Sequence, residues 1–286
     1  MSGESKGLLR QGAWMVAATT SGGVAMMLVN TLVSKRCGGA AYAEFKTLLS
    51  TFYGVAAVGG GLWMSFAQRT ASAVTPEQLG AVAASARRTL AWTAAVWMGI
   101  AIMLAAAQDG LVAEWKLSGP GALWATWLLG LLTLVLSVLR GVVQGSQRFG
   151  VLGVVAMLDG AGRLATVAMV VQWWQATATG AMLGAVAGCG VATAMAAWGA
   201  WRVMVLRGVD APSGQGWTGP ALLSIQAFGL QVLQQYDNIF WASAMPADAL
   251  KAWNLGQTFS PAQTVGYGIS QVTVPLVLVM LPRVAR

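Results

Sequence analysis

Apolar runs of membrane-crossing length, parted by short polar breaks, constrain this chain more than anything else in it. They fall at about 11–33, 47–67, 89–107, 120–139, 150–171, 178–201, 221–245 and 252–281. Each is near the ~20 residues that a helix needs to cross a hydrocarbon core. Inside lipid no water is available to the backbone, so its N–H and C=O groups have to pair within the segment, and such runs fold as helices. Composition agrees: 57% of the 286 residues are hydrophobic, 9% are charged, and mean hydropathy is +0.65, outside the range of soluble domains. The expected fold is an all-α polytopic membrane protein of about eight transmembrane helices.

The scarce charges set the orientation. Cytoplasmic loops carry the excess of Lys and Arg. With the N-terminus in the cytoplasm, Lys6, Arg10, Arg69, Arg87, Arg88, Arg140, Arg148, Arg202, Arg207, Arg283 and Arg286 fall inside. Lys35, Arg36, Lys46, Lys116 and Lys251 fall outside, a bias of about two to one. Lys6 and Arg10 precede a run of full spanning length, which reads as a retained first helix and not a cleaved leader. The net charge of +8 and pI near 10.1 are then mostly loop charge facing anionic lipid. These cations are scattered and build no basic domain, so nucleic acid is not an expected partner.

Histidine is absent, which removes His-based metal sites, triads and proton relays together. Cys37 and Cys189 sit in a loop and in mid-span, with no disulfide framework. There is no glycine loop ending in Lys-Ser/Thr, no Cys/His cluster and no Asp-rich diphosphate motif. The expectation is no enzyme, no metal and no cofactor, with any transport driven by an ion gradient, the membrane potential or a partner.

Residues 208–220, GVDAPSGQGWTGP, form the one convincing linker. They divide a first six-helix lobe, 1–207, from the first two helices of an incomplete second lobe, 221–286. A faint echo crosses the linker: Ala40-Ala41-Tyr42-Ala43 before a Gly-interrupted span, and Ala249-Leu250-Lys251-Ala252 before a Gly/Pro-interrupted one. Parallel repeats of this kind occur in secondary transporters, with the substrate path between the halves. Thr75-Pro76-Glu77-Gln78 reads as a capping box with Pro at the first helical position, starting a short cytoplasmic helix that runs to Arg88 and feeds span three. Gly180, Gly184, Gly188, Ala192, Ala196 and Ala200 make a smooth ridge, suited to packing within the lobe or to a dimer seam. Gly59-Gly60-Gly61 predicts a bend or local unwinding of span two. Trp115, Trp173, Trp174, Trp201, Trp217, Trp241 and Trp253 fall at interfacial positions as anchors.

Ionisable groups inside spans are expensive in lipid and mark functional sites by default. Asp159 and Arg163 stand one helical turn apart with the acid first, the favourable order for a pair. The pair either locks helices together, or Asp159 holds Arg163 toward a water-filled cavity where its fork meets an anionic headgroup. In span seven Gln231, Gln234, Gln235 and Asn238 share one face with Asp237 beside it. That stripe lines a cavity or bonds between helices, and Asp237 is a candidate for cation or proton coupling.

Ala40-Ala41-Tyr42-Ala43-Glu44-Phe45 and Gln68-Arg69 around span two resemble the start of polysaccharide and O-antigen exporters. So do Leu139-Arg140-Gly141, Gln144-Gly145 and Gln147-Arg148-Phe149-Gly150. Gln235-Tyr236-Asp237-Asn238 and Leu281-Pro282-Arg283-Val284-Ala285-Arg286 resemble the start of their second lobe. These exporters belong to the multidrug, oligosaccharidyl-lipid and polysaccharide exporter superfamily. The resemblance implies two lobes around a cationic cavity that flip a polyprenyl-diphosphate-linked oligosaccharide across the bacterial inner membrane. Glycosyltransferases and a polysaccharide polymerase would be partners. It gives Arg69, Arg140, Arg148 and Arg163 as basic site positions, beside Gln234 and Asn238 from the polar stripe. The alternatives are an ion-coupled drug or metabolite antiporter of the same superfamily, and an inactive remnant or scaffold. Such exporters have twelve or more spans, so this chain is expected to be a fragment, a truncated product or a half that needs a partner.

Overall fold

Cys37 alone joins the first two helices, and Gly38 makes the reversal with a left-handed backbone, φ 78°, a conformation glycine adopts without a Cβ penalty. The computed structural model describes residues 3–206, with side chains from Gln11 onward. In order come α1 (Gly3–Arg36), α2 (Gly38–Ser72), α3 (Pro76–Glu114), α4 (Pro120–Gly145) and α5 (Phe149–Met157). A π-helical turn, Leu158–Gly162, leads straight into α6 (Arg163–Trp173), and α7 (Ala178–Met204) closes the described residues. Among them there is no strand, and six segments are long and apolar enough to cross a membrane, α5 through α6 counting as one. They coincide with the first six expected spans. The linker 208–220 and the spans expected at 221–245 and 252–281 lie outside the described residues.

Helix starts follow local chemistry. The Thr75 hydroxyl accepts from the Gln78 N–H, and the Gln78 side-chain Oε1 accepts from the Thr75 N–H at 3.1 Å, closing the expected capping box. The short helix expected there does not end: α3 runs unbroken from Pro76 into the membrane, since no Pro or Gly pair interrupts it before Glu114. Thr177 caps α7 through the Gly180 N–H.

Lipid offers no hydrophobic drive between helices, so close backbone approach and interhelical hydrogen bonds hold the bundle. The α2–α4 seam shows this. A Cβ on Gly141 would meet the Trp63 carbonyl oxygen at 2.6 Å, and one on Gly145 the Ala67 carbonyl oxygen at 2.6 Å. The Gly141–Gly145 pair is thus a small-xxx-small contact inside the motif that carried the family resemblance. The expected glycine ridge of α7 does the same work against α6. Gly184 and Gly188 abut the backbones of Val167 and Arg163, and the Thr166 hydroxyl donates to the Gly184 carbonyl at 2.6 Å. All six ridge residues are buried, so the ridge packs within the lobe and is not a free dimer seam. Gly22 of α1 and Gly160 of the π turn meet backbone to backbone.

Two features differ from expectation. Gly59-Gly60-Gly61 stays helical without unwinding; Gly59 instead admits α4, where an added Cβ would meet Ser137 Oγ at 2.6 Å. A second difference is that α3 is fastened to α4 by a tryptophan clasp. Trp97 Nε1 donates to the Trp127 carbonyl at 2.9 Å, Trp127 Nε1 donates back to the Trp97 carbonyl at 3.3 Å, and Gly130 makes room for the Trp97 ring. Elsewhere α3 presents Trp92, Val96, Met98, Ile102 and Met103 outward, as a lipid-facing helix does.

Gly145→Val should destabilise the purified protein by about 1–3 kcal/mol through overpacking. Gly60→Ala, with open space around the new methyl, should be neutral or stabilising by up to about 1 kcal/mol. Thermal unfolding in detergent would read both, and equal effects would contradict the seam.

Candidate functional site

Gln147 turns the chain between α4 and α5 with a left-handed backbone, φ 56°. The short connection Ser146–Arg148 reverses the chain between two consecutive segments of membrane-crossing length. Arg140 lies seven residues before Gln147 and Asp159 twelve after it. At ~1.5 Å rise per residue the two backbones differ in depth by about 7–8 Å, a gap that an extended arginine side chain covers. The Arg140 guanidinium accordingly reaches Asp159: Nη2 donates to Oδ2 at 2.8 Å.

Asp159 also pairs with Arg163, Nη2 to Oδ1 at 2.6 Å. The carboxylate thus stands between two guanidiniums, and the cluster carries a net charge of +1. Side-chain exposure is 6% for Arg163, 15% for Arg140 and 22% for Asp159. Each cation lies near an aromatic ring of α2, Arg163 5.5 Å from the Phe52 centroid and Arg140 5.7 Å from that of Trp63. Attraction to the ring face stabilises a desolvated cation. Asp159 sits in the π turn and Arg163 is the first residue after it. π-Bulges are rare and concentrate at functional sites.

The cluster is rich in donors. Trp63 Nε1, Arg140 Nε and Arg163 Nε are buried without a hydrogen-bond partner among the described residues. Asp159 Oδ1, though 2.6 Å from Arg163 Nη2, likewise has no well-aligned hydrogen bond among the described residues. Buried polar groups left unpaired each cost about 1–3 kcal/mol, so the cluster holds both donors and an acceptor with capacity to spare.

The other expected basic positions are held elsewhere. Arg148 Nη1 donates to the Gly199 carbonyl of α7 at 2.7 Å, which ties the start of α5 to the end of α7. Arg69 Nη1 meets Ser85 Oγ at 3.3 Å, linking α2 to α3. Arg87, not singled out as a site from sequence, reaches the carbonyls of Met204 and Leu206 and caps α7, where a cation also complements the helix dipole. The structure therefore brings together Arg140, Asp159 and Arg163, and places Arg69 and Arg148 at one end of the bundle. Gln234, Asp237 and Asn238 lie outside the described residues. The i,i+4 spacing pointed to Asp159–Arg163; Arg140 as a second partner needed the hairpin geometry.

No protein-family model and no curated protein matches the chain. Its fold does match solved transporters. A MATE protein in complex with Br-NRF superposes with TM-score 0.73 at 14% identity, covering 96% of this chain and 64% of the other. An outward-facing multidrug resistance MATE family transporter of the MOP superfamily gives 0.68 at 12% identity, over 95% and 64%. The bent form of the Vibrio cholerae MATE transporter VcmN gives 0.62 at 17% identity, over 98% and 68%. The chain thus has the fold of a MATE transporter and spans about 64% of the length of the first two.

Asp159→Asn should be the most destabilising single change in the cluster, by about 3–5 kcal/mol, because it strands two buried cations. Arg140→Gln should be milder, since Asp159 keeps Arg163. Unfolding midpoints of the purified variants would show this order, and a reversed order would contradict the shared carboxylate.

Proposed function

We propose that this chain is a transporter of the MOP superfamily in the bacterial inner membrane, with its N-terminus in the cytoplasm. Its cargo on this reading is a polyprenyl-diphosphate-linked oligosaccharide destined for O-antigen, capsule or exopolysaccharide. The observation that carries the reading is the net-positive Arg140–Asp159–Arg163 cluster, with its unpaired N–H donors, inside a MATE-type helical bundle. A planar guanidinium fork matches phosphate oxygens, and Arg keeps its charge in a dry site. Arg69 and Arg148, at the end of the bundle assigned to the cytoplasm, would draw the diphosphate toward Arg140. Glycosyltransferases would supply the substrate, and a polymerase would use it on the far side.

A second reading, an ion-coupled drug or metabolite antiporter, draws support from the multidrug resistance transporter that shares this fold. It would use Asp159 as a cation's partner. On that reading neutralising the carboxylate abolishes transport and neutralising an arginine does not.

Arg140→Gln leaves the Asp159–Arg163 pair intact and separates these roles from simple folding. The expected outcome is normal protein level in the membrane with surface glycan reduced at least tenfold. Normal glycan at normal protein level would overturn the flippase reading.

A further inference from the structure

The three members of the charged cluster are not equivalent. Arg163 is the most enclosed, with the shorter contact to Asp159, the Phe52 ring nearby and Cys189 and Tyr53 as further neighbours. Its backbone is also pinned, because Gly188 of α7 packs directly on its Cα. Arg140 is more exposed, makes the longer contact and sits on the far end of a flexible side chain from α4. Trp63 Nε1 and Arg140 Nε, both unpaired among the described residues, lie on this side of the cluster. Two of the three unpaired N–H donors of the cluster are thus on the Arg140 side, and Arg163 Nε is the third.

We propose that Asp159 is a tethered stand-in for the ligand's own anion: an incoming phosphate oxygen displaces it from Arg140, while Arg163 retains it. This rests on the proposed function and divides its site. Arg140 becomes the residue that touches the ligand, with Trp63 Nε1 beside it as a further donor. Arg163 and Asp159 become positioning residues that hold Arg140 in reserve and keep the empty site from carrying an unpaired second cation. Exchange of one anion for another leaves few buried charges uncompensated at any stage, which matters where a lone charge is so costly. The ligand chemistry is a phosphate oxyanion, from a prenyl diphosphate or from a bulk phospholipid headgroup.

The test uses the full chain in detergent, titrated with farnesyl diphosphate, with farnesol as the uncharged control. Wild type should bind the diphosphate and not the alcohol. Arg140→Gln should lose at least tenfold in affinity, whereas Arg163→Lys should lose far less. Asp159→Asn, freed of the competing carboxylate, should bind about tenfold or more tightly, the worth of one charged hydrogen bond. Should Asp159→Asn not fold, tryptophan emission gives the second readout: the ligand-induced change in wild type should disappear in Trp63→Phe. Wild type that binds no diphosphate overturns both the exchange and the proposed substrate. Diphosphate binding that Asp159→Asn leaves equal or weakens, or an emission change that survives in Trp63→Phe, overturns the exchange alone. Binding of short-chain phosphatidylglycerol as tight as that of farnesyl diphosphate, with the same tightening in Asp159→Asn, supports the exchange and overturns the proposed substrate.

Discussion

One carboxylate shared by two arginines in a membrane-buried bundle is the interaction around which the described helices are arranged. A lone arginine there would be prohibitively placed, and two would be worse. Asp159 makes both tolerable, and the π turn that holds it also starts the helix bearing Arg163. The cluster draws on α4 for Arg140, on the π turn and α6 for the others, and on α2 for the aromatic rings.

Such a cluster is possible only because the backbones come close. Gly141 and Gly145 set α4 against α2, Gly184 and Gly188 set α7 against α6, and Gly22 meets Gly160. The last of these contacts falls in the π turn, one residue from Asp159. Packing and charge are therefore coupled: widening any of these seams moves a partner of the carboxylate. Arg87 of α3 and Arg148 at the start of α5 both fasten to backbone carbonyls in the C-terminal part of α7, so the arginines at that end of the bundle have structural duties whatever else they do.

The order and extent of six helices were legible in the sequence because span length and hydropathy leave a lipid-bound chain few choices. The capping box at Thr75 and the ridge of α7 were legible for local reasons, fixed spacing of capping groups and of small side chains. The contacts that sequence reading missed are all tertiary. Arg140 finds Asp159 across a hairpin whose depth relation depends on a left-handed Gln147. The Trp97–Trp127 clasp depends on how α3 and α4 cross. The triple glycine does not unwind: its weak helix propensity is outweighed at Gly59, which admits Ser137 of α4. The π turn has no single-residue signal; only the Gly160–Gly22 contact explains its place.

A double-mutant cycle tests the shared carboxylate most directly. It combines Asp159→Asn with Arg140→Gln and, separately, with Arg163→Gln, and reads unfolding free energies of the purified protein. Coupling well above ~0.5 kcal/mol, the limit expected of independent sites, is expected for both arginines, and stronger for Arg163. Additive effects of Asp159 and Arg140 would contradict the shared carboxylate.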